Sequence, residues 1–223
     1  MKTNQSLKQT ARVSGILYLI IAVIAPVSMM VVPSTLVVAG DANATAQNIL
    51  TSEGLFRTGI AGDALIFLIE VVLTVLLYAL LKPVNKTLSL MAAFARLAMT
   101  IVQGVNVLNS VMVLLVLRGD FPAGQQSSLM MLFLNAHASA SIVWGLFFAL
   151  HLALLGYLVY LSGYIPRILG VVLYIVSLCY FVQNFGMILA PQYETVLSVI
   201  GMASMIELAF PVWLVIKGVR SEA

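Results

Sequence analysis

Charge is what this chain has least of. Only 9% of its 223 residues are Asp, Glu, Lys or Arg, where a soluble domain carries roughly 25%. So little charge cannot clothe a water-facing surface, and the 62% hydrophobic content and mean hydropathy of +1.09 point to lipid as the solvent. There is one cysteine, Cys179, inside an apolar run. It excludes an intramolecular disulfide and any paired-cysteine metal site, and it reads as a small core residue. The sequence also holds no His-Glu-x-x-His, Cys-x-x-Cys, Gly-x-Ser-x-Gly or Walker motif, so no hydrolase, zinc-protease or nucleotide-binding signature is present. The net charge of +3 does not mark a nucleic-acid partner, because the basic residues sit in short breaks between apolar runs.

What is present is a succession of long apolar runs. A bilayer core of about 30 Å needs roughly 20 apolar residues per helix. The runs over residues 11–32, 57–81, 87–117, 128–161, 168–189 and 195–216 each meet that length. The expected fold is therefore an all-α, polytopic membrane bundle of six transmembrane helices, a single domain over 1–223. The run from Val13 to Val32 exceeds the apolar core of a signal peptide and reads as an uncleaved first span. Pro26 should kink that span.

Between the first two spans lies an outer capping segment, 33–56. Asp41 suits an N-cap and Gly54 a stop, so a short surface helix is expected over 42–52, with Ala46, Ile49 and Leu50 turned to membrane or bundle. Lys2, Lys8, Arg12, Lys82, Lys86, Arg167, Lys217 and Arg220 fall on one face of the membrane, and only Arg57 and Arg118 on the other. Eight against two places both termini in the cytoplasm of a cell-membrane protein.

Ionisable residues inside the spans are the informative exception. Asp63 and Glu70 lie seven apart on one helix face. Arg96, Thr100, Gln103, Asn106 and Ser110 line one side of the third span, and His137, Ser141, Trp144, Phe148 and His151 one side of the fourth. Ser177, Tyr180 and Asn184, with Gln183, cluster on the fifth. Ser204, Glu207 and Pro211 follow at helical spacing on the sixth. A charged group at a helix centre costs about 2.5–3.5 kcal/mol to insert, so these face the interior and are functional candidates by default. Aligned by the rise per residue, they form an outer tier with Asp63 paired to His137 beside Asn106 and Asn184. A middle-to-inner tier holds Glu70, Arg96, Gln103, His151 and Glu207. Three carboxylates against one Arg in a low-dielectric interior imply a coupled, proton-responsive set. Pro211 frees the Glu207 carbonyl four residues earlier.

The chain resembles a bacterial and archaeal family of six-span membrane proteins catalogued only as a domain of unknown function. The likeness rests on Gly40-Asp41 with Ala44-Thr45-Ala46, on Ser52-Glu53-Gly54-Leu55-Phe56-Arg57 with Asp63, on Leu81-Lys82-Pro83-Val84-Asn85, on Leu150-His151, and on Ser162-Gly163-Tyr164-Ile165-Pro166-Arg167 with Leu169-Gly170. It implies the topology and no activity.

Three functions stay open. The stripe suits binding or transport of a small solute through a titratable polar cavity, in a protein that partners the lipid bilayer and is large enough for that task as a homo-oligomer. An intramembrane enzyme, or a haem- or metal-binding redox protein, is the alternative. His137 and His151 stand about 21 Å apart along one helix, so they cannot share a metal, and two haems would need a homodimer. No cofactor is specified. In the third reading, an accessory or structural subunit, the polar groups serve assembly alone.

Overall fold

A computed structural model describes the backbone of residues 2–219 and the side chains of residues 6–219 other than 123, 203 and 204. The side chains of Lys2, Ser204 and Arg220 therefore lie outside the described residues. The described chain is helical and without strands: α1 (Lys2–Pro26), α2 (Val32–Leu36), α3 (Ala42–Thr51), α4 (Glu53–Leu81), α5 (Lys86–Arg118), α6 (Ala123–Leu161), α7 (Arg167–Leu189), α8 (Glu194–Ala203) and α9 (Ala209–Ile216). Among the described residues six stretches are long and apolar enough to cross a membrane: Ser6–Leu36, Glu53–Leu81, Lys86–Arg118, Gly124–Leu161, Arg167–Leu189 and Pro191–Ile216. The expected six spans and short additional helix are present.

The helix ends differ from expectation in instructive ways. Pro26 closes α1, and a π-helical turn over Val27–Val31 carries the chain into α2. The helix therefore changes type directly after Pro26. Gly54 does not stop α3. Ser52 ends it, and Gly54 lies in the first turn of α4, which starts at Glu53 instead of 57. The last span is not one helix kinked at Pro211. It breaks into α8, a 3₁₀ stretch over Ser204–Leu208, and α9. Pro211 is the third residue of α9, in the first turn, where a missing N–H leaves no intrahelical bond unmade.

Contacts divide the chain into two compact units. The first comprises residues 1–20, 69–100 and 142–223. Its helices approach closely. A Cβ on Gly156 of α6 would lie 2.7 Å from the Gly170 carbonyl oxygen of α7, and one on Gly170 would lie 2.6 Å from that of Gly156. Backbone meets backbone there, which only small residues permit. The α6–α7 turn and the first turn of α5 close over the end of α4. Tyr164 donates to the Leu80 carbonyl at 2.6 Å, and Ser89 donates to the Tyr78 carbonyl at 3.1 Å. Both carbonyls belong to the last four of the helix, which have no partner within it. The Ser162–Arg167 motif is thereby explained. Gly163 takes φ +72° to reverse the chain, Tyr164 caps α4, Ile165 is buried, and Pro166 precedes α7. Cys179, expected in the core, is half-buried on α7.

The second unit comprises residues 21–68 and 101–141. Its core joins Val32, Leu36, Ile49, Phe56, Val113 and Met130 among others. Asp41 caps α3 by accepting from the Ala44 amide at 2.8 Å. Ala46 and Ile49 are buried in the bundle together with Thr45, and Leu50 is exposed. The Thr45 hydroxyl accepts from the Val38 amide at 2.9 Å and donates to the Asp41 carbonyl at 2.8 Å, tying the Gly40-Asp41 turn to the helix.

Candidate functional site

The polar stripe of α5 is fully internal: Arg96, Thr100, Gln103, Asn106 and Ser110 are all buried. In the first unit it meets α4 and α6. Arg96 Nη2 stands 3.5 Å from Glu70 Oε1, with both side chains almost wholly buried, and Thr100 donates to Glu70 Oε2 at 2.9 Å. Arg96 Nη1 lies 3.2 Å from His151 Nε2, and His151 Nδ1 lies 2.9 Å from the Ala92 carbonyl oxygen. A guanidinium only donates, so Nε2 is the acceptor and Nδ1 carries the hydrogen that reaches Ala92. Both ring nitrogens are committed in this arrangement, and neither offers a lone pair to a metal or haem iron.

Tyr18 completes the surroundings of Arg96, whose guanidinium carbon lies 5.1 Å from the Tyr18 ring centroid. Face-on contact of this kind is favourable for a desolvated cation. Tyr18 was not legible as a candidate by its chemistry, but its position signals it. Ala11, Ser14, Gly15 and Tyr18 are the buried residues of that part of α1, at i, i+3, i+4 and i+7. Phe148 continues the lining, stacked 6.3 Å from His151 and 5.0 Å from Trp144, with Tyr180 edge-on at 5.0 Å.

Glu207 stands apart from this set. It lies in the 3₁₀ stretch of the last span, within the electrostatic reach of Arg96 and Tyr18 but without an ion pair to either. Its Oε2 is buried and has no hydrogen-bond partner among the described residues, and the same is true of Arg96 Nε. Asn184 belongs to this unit, whereas Asp63, Asn106 and His137, grouped with it by depth, belong to the other. It donates to the Tyr180 carbonyl at 2.8 Å and fills the space over Gly145.

The second unit holds the other candidates. Asp63 is buried beside Ser28 and within electrostatic reach of His137. The expected Asp63–His137 pair is not made. The His137 ring turns its Nδ1 to Ser110 Oγ at 3.2 Å and the Asn106 carbonyl at 3.4 Å, while Asp63 Oδ1 has no hydrogen-bond partner among the described residues. Asn106 donates to the His137 carbonyl at 3.0 Å and accepts from Asn109. Gln103 is buried with its Nε2 unpartnered among the described residues. Ser141 is exposed and bonds back to the His137 carbonyl of its own helix, so the polar face of α6 is buried only from Phe148 to His151. Among the described residues no three His, Cys, Asp or Glu side chains gather in a metal-binding group.

Fold and site together define a multi-pass helical membrane protein with a buried polar network. Residues 13–218 match the model of a family described as a domain of unknown function (DUF4386). The chain belongs to that family. It is 32% identical over 161 residues to an uncharacterized protein of Archaeoglobus fulgidus, an alignment that covers 71% of this chain and 83% of the relative. No solved structure matches.

Proposed function

We propose that this protein binds a small polar solute inside the bundle, as a solute-binding or transport protein of the cell membrane with both termini in the cytoplasm. The observation that carries the reading is the pair of buried, unpartnered atoms Arg96 Nε and Glu207 Oε2 among the described residues. A buried polar atom without a partner costs about 1–3 kcal/mol, and here one is a donor and the other an acceptor. A zwitterion, amide or hydroxyl group that accepts from Arg96 and donates to Glu207 would relieve both.

Two features support it further. Glu207 sits where the last span leaves α-helical geometry, and solute sites of secondary transporters are commonly built at such broken helices. Glu70 pairs with Arg96 and Glu207 lies within its electrostatic reach, so two carboxylates face one guanidinium charge and a proton or a solute cation would balance it. The contacts of the Arg96 Nη groups with Glu70 and His151, and of Thr100 with Glu70, support a different role for Glu70, Thr100 and His151, a brace that holds the Arg96 fork in place.

Native mass spectrometry of the purified protein, paired with thermal unfolding against a panel of zwitterionic and amide metabolites, tests the reading. Wild type should carry or be stabilised by one class of small solute, and Glu207→Gln should remove that response while remaining folded. The reading fails if no solute binds wild type. It fails equally if Glu207→Gln unfolds the bundle as Arg96→Leu does, because the carboxyl would then serve assembly.

A further inference from the structure

The second unit carries a different site at one end of α4 and α5. Glu53 stands in the first turn of α4 and Arg118 in the last turn of α5, each complementing the dipole of its own helix. Arg118 grips Glu53 through Nη2 at 2.8 and 2.9 Å and through Nε at 3.3 Å, and Arg57 Nε bonds the same carboxylate. Two guanidinium groups on one carboxylate leave one positive charge. Both remain open to the surroundings, at 52% exposed for Arg57 and 60% for Arg118. The Arg57 Nη groups and Arg118 Nη1 make no hydrogen bond among the described residues.

These two arginines form the polar rim of a cavity of about 300 Å³ whose other walls are apolar, among them Ala61, Ala64, Val111 and Leu115. Leu115 is 58% exposed, so the cleft opens on the surface that a transmembrane hairpin turns to lipid. We propose that this cleft is a binding site for an anionic membrane phospholipid, its phosphate held by Arg57 and Arg118 and one acyl chain laid against Ala61 and Ala64. Arg matches phosphate with parallel N–H donors. The small alanines make the room, and the fixed Glu53 carboxylate holds both guanidinium groups in place.

Native mass spectrometry in detergent with equal amounts of phosphatidylglycerol and phosphatidylcholine tests the site. The first lipid retained by wild type should be mainly phosphatidylglycerol. Arg118→Gln should lower that preference roughly tenfold, the effect of one lost charge-assisted contact. Ala64→Leu, which fills the groove and leaves the arginines in place, should lower retention of both lipids. Equal retention of the two lipids by wild type overturns the proposal, as does unchanged retention in Ala64→Leu. Displacement of phosphatidylglycerol by inorganic phosphate at the same concentration would make the site one for a free anion and overturn the lipid assignment. Should Arg118→Gln fail to fold by circular dichroism, Arg57→Gln and Ala64→Leu decide the question without it.

Discussion

Arg96 donates to His151 Nε2 across 3.2 Å, and this contact settles which tautomer the imidazole adopts. Because His151 Nδ1 reaches the Ala92 carbonyl at 2.9 Å, the ring is locked between a donor and an acceptor with its two nitrogens distinguished. Nitrogen NMR of histidine-labelled protein at neutral pH should show the Nδ1–H form for His151. In Arg96→Leu that signal should lose its definition, because Nε2 no longer has a donor to face. A signal from the Nε2–H form in wild type would show the network to be wired otherwise.

The same arginine allows a sharper test through Glu70. Removing Arg96 alone strands a buried carboxyl, which costs about 3–5 kcal/mol. Removing both charges strands neither, and apolar replacements of buried pairs are often neutral. Arg96→Leu should therefore unfold at markedly lower denaturant than wild type, and Glu70→Leu/Arg96→Leu should recover most of the difference. The coupling between the two sites, read from the double-mutant cycle, should exceed the few tenths of a kcal/mol expected of independent sites. Strict additivity would mean that the 3.5 Å contact contributes nothing.

Much of this was legible in the sequence, for reasons that mark where legibility ends. Residues at i, i+3, i+4 and i+7 share a face whatever their neighbours do, so the stripe from Arg96 to Ser110 is buried as its spacing requires. Spacing fixes a face and a height, not a partner. Asp63 and His137 were matched by height alone, but the rotamer of His137 takes its ring to Ser110 and Asn106. Tyr18 escaped because an aromatic side chain in an apolar run reads as packing, and only the approach of Arg96 from α5 reveals its second role. The break before Pro211 escaped for a different reason. Proline forbids one hydrogen bond, but the chain can answer with a kink or with a 3₁₀ stretch and a fresh helix start, and local chemistry does not choose between them.

Tyr164 lies in the turn between α6 and α7, and burial pushes its phenol up to about 12 from an ordinary value near 10. The folded protein thus holds this proton at pH values where the unfolded chain has released it. The resulting stability is fully present below about pH 10 and is lost as pH rises through about 12. An ultraviolet titration should show Tyr164 among the last of the eight tyrosines to ionise, and Tyr164→Phe should remove that step. The variant should also lose about 1 kcal/mol at neutral pH, because the Leu80 carbonyl at the end of α4 loses its donor. An unchanged alkaline titration in Tyr164→Phe would contradict the assignment.

Asp41 acts more locally. Its side chain satisfies one of the first amides of α3, and replacing an N-cap by Ala typically costs about 1 kcal/mol. In Asp41→Ala the amides of residues 42–51 should exchange with solvent roughly fivefold faster, as a loss of about 1 kcal/mol implies. The Glu70–Arg96 cluster belongs to the other compact unit, and exchange there should be unaffected. Equal acceleration throughout the chain would show that α3 is not a separable element.

Glycine substitutions separate close packing from backbone freedom. At Gly156 an added Cβ meets the Gly170 carbonyl at 2.7 Å and the Tyr174 amide nitrogen at 2.9 Å, both backbone atoms that cannot swing aside. Gly156→Ala should therefore lower stability by about 1–3 kcal/mol, the usual cost of overpacking. Gly54 is also helical, but nothing lies within 4 Å of a Cβ built there. Gly54→Ala reduces the freedom of the unfolded chain without a clash and should raise stability by about 0.4–1 kcal/mol. Denaturant titrations of the two variants should move in opposite directions from wild type. If both moved the same way, the 156–170 contact would not be the tight junction of α6 and α7 that its distances describe.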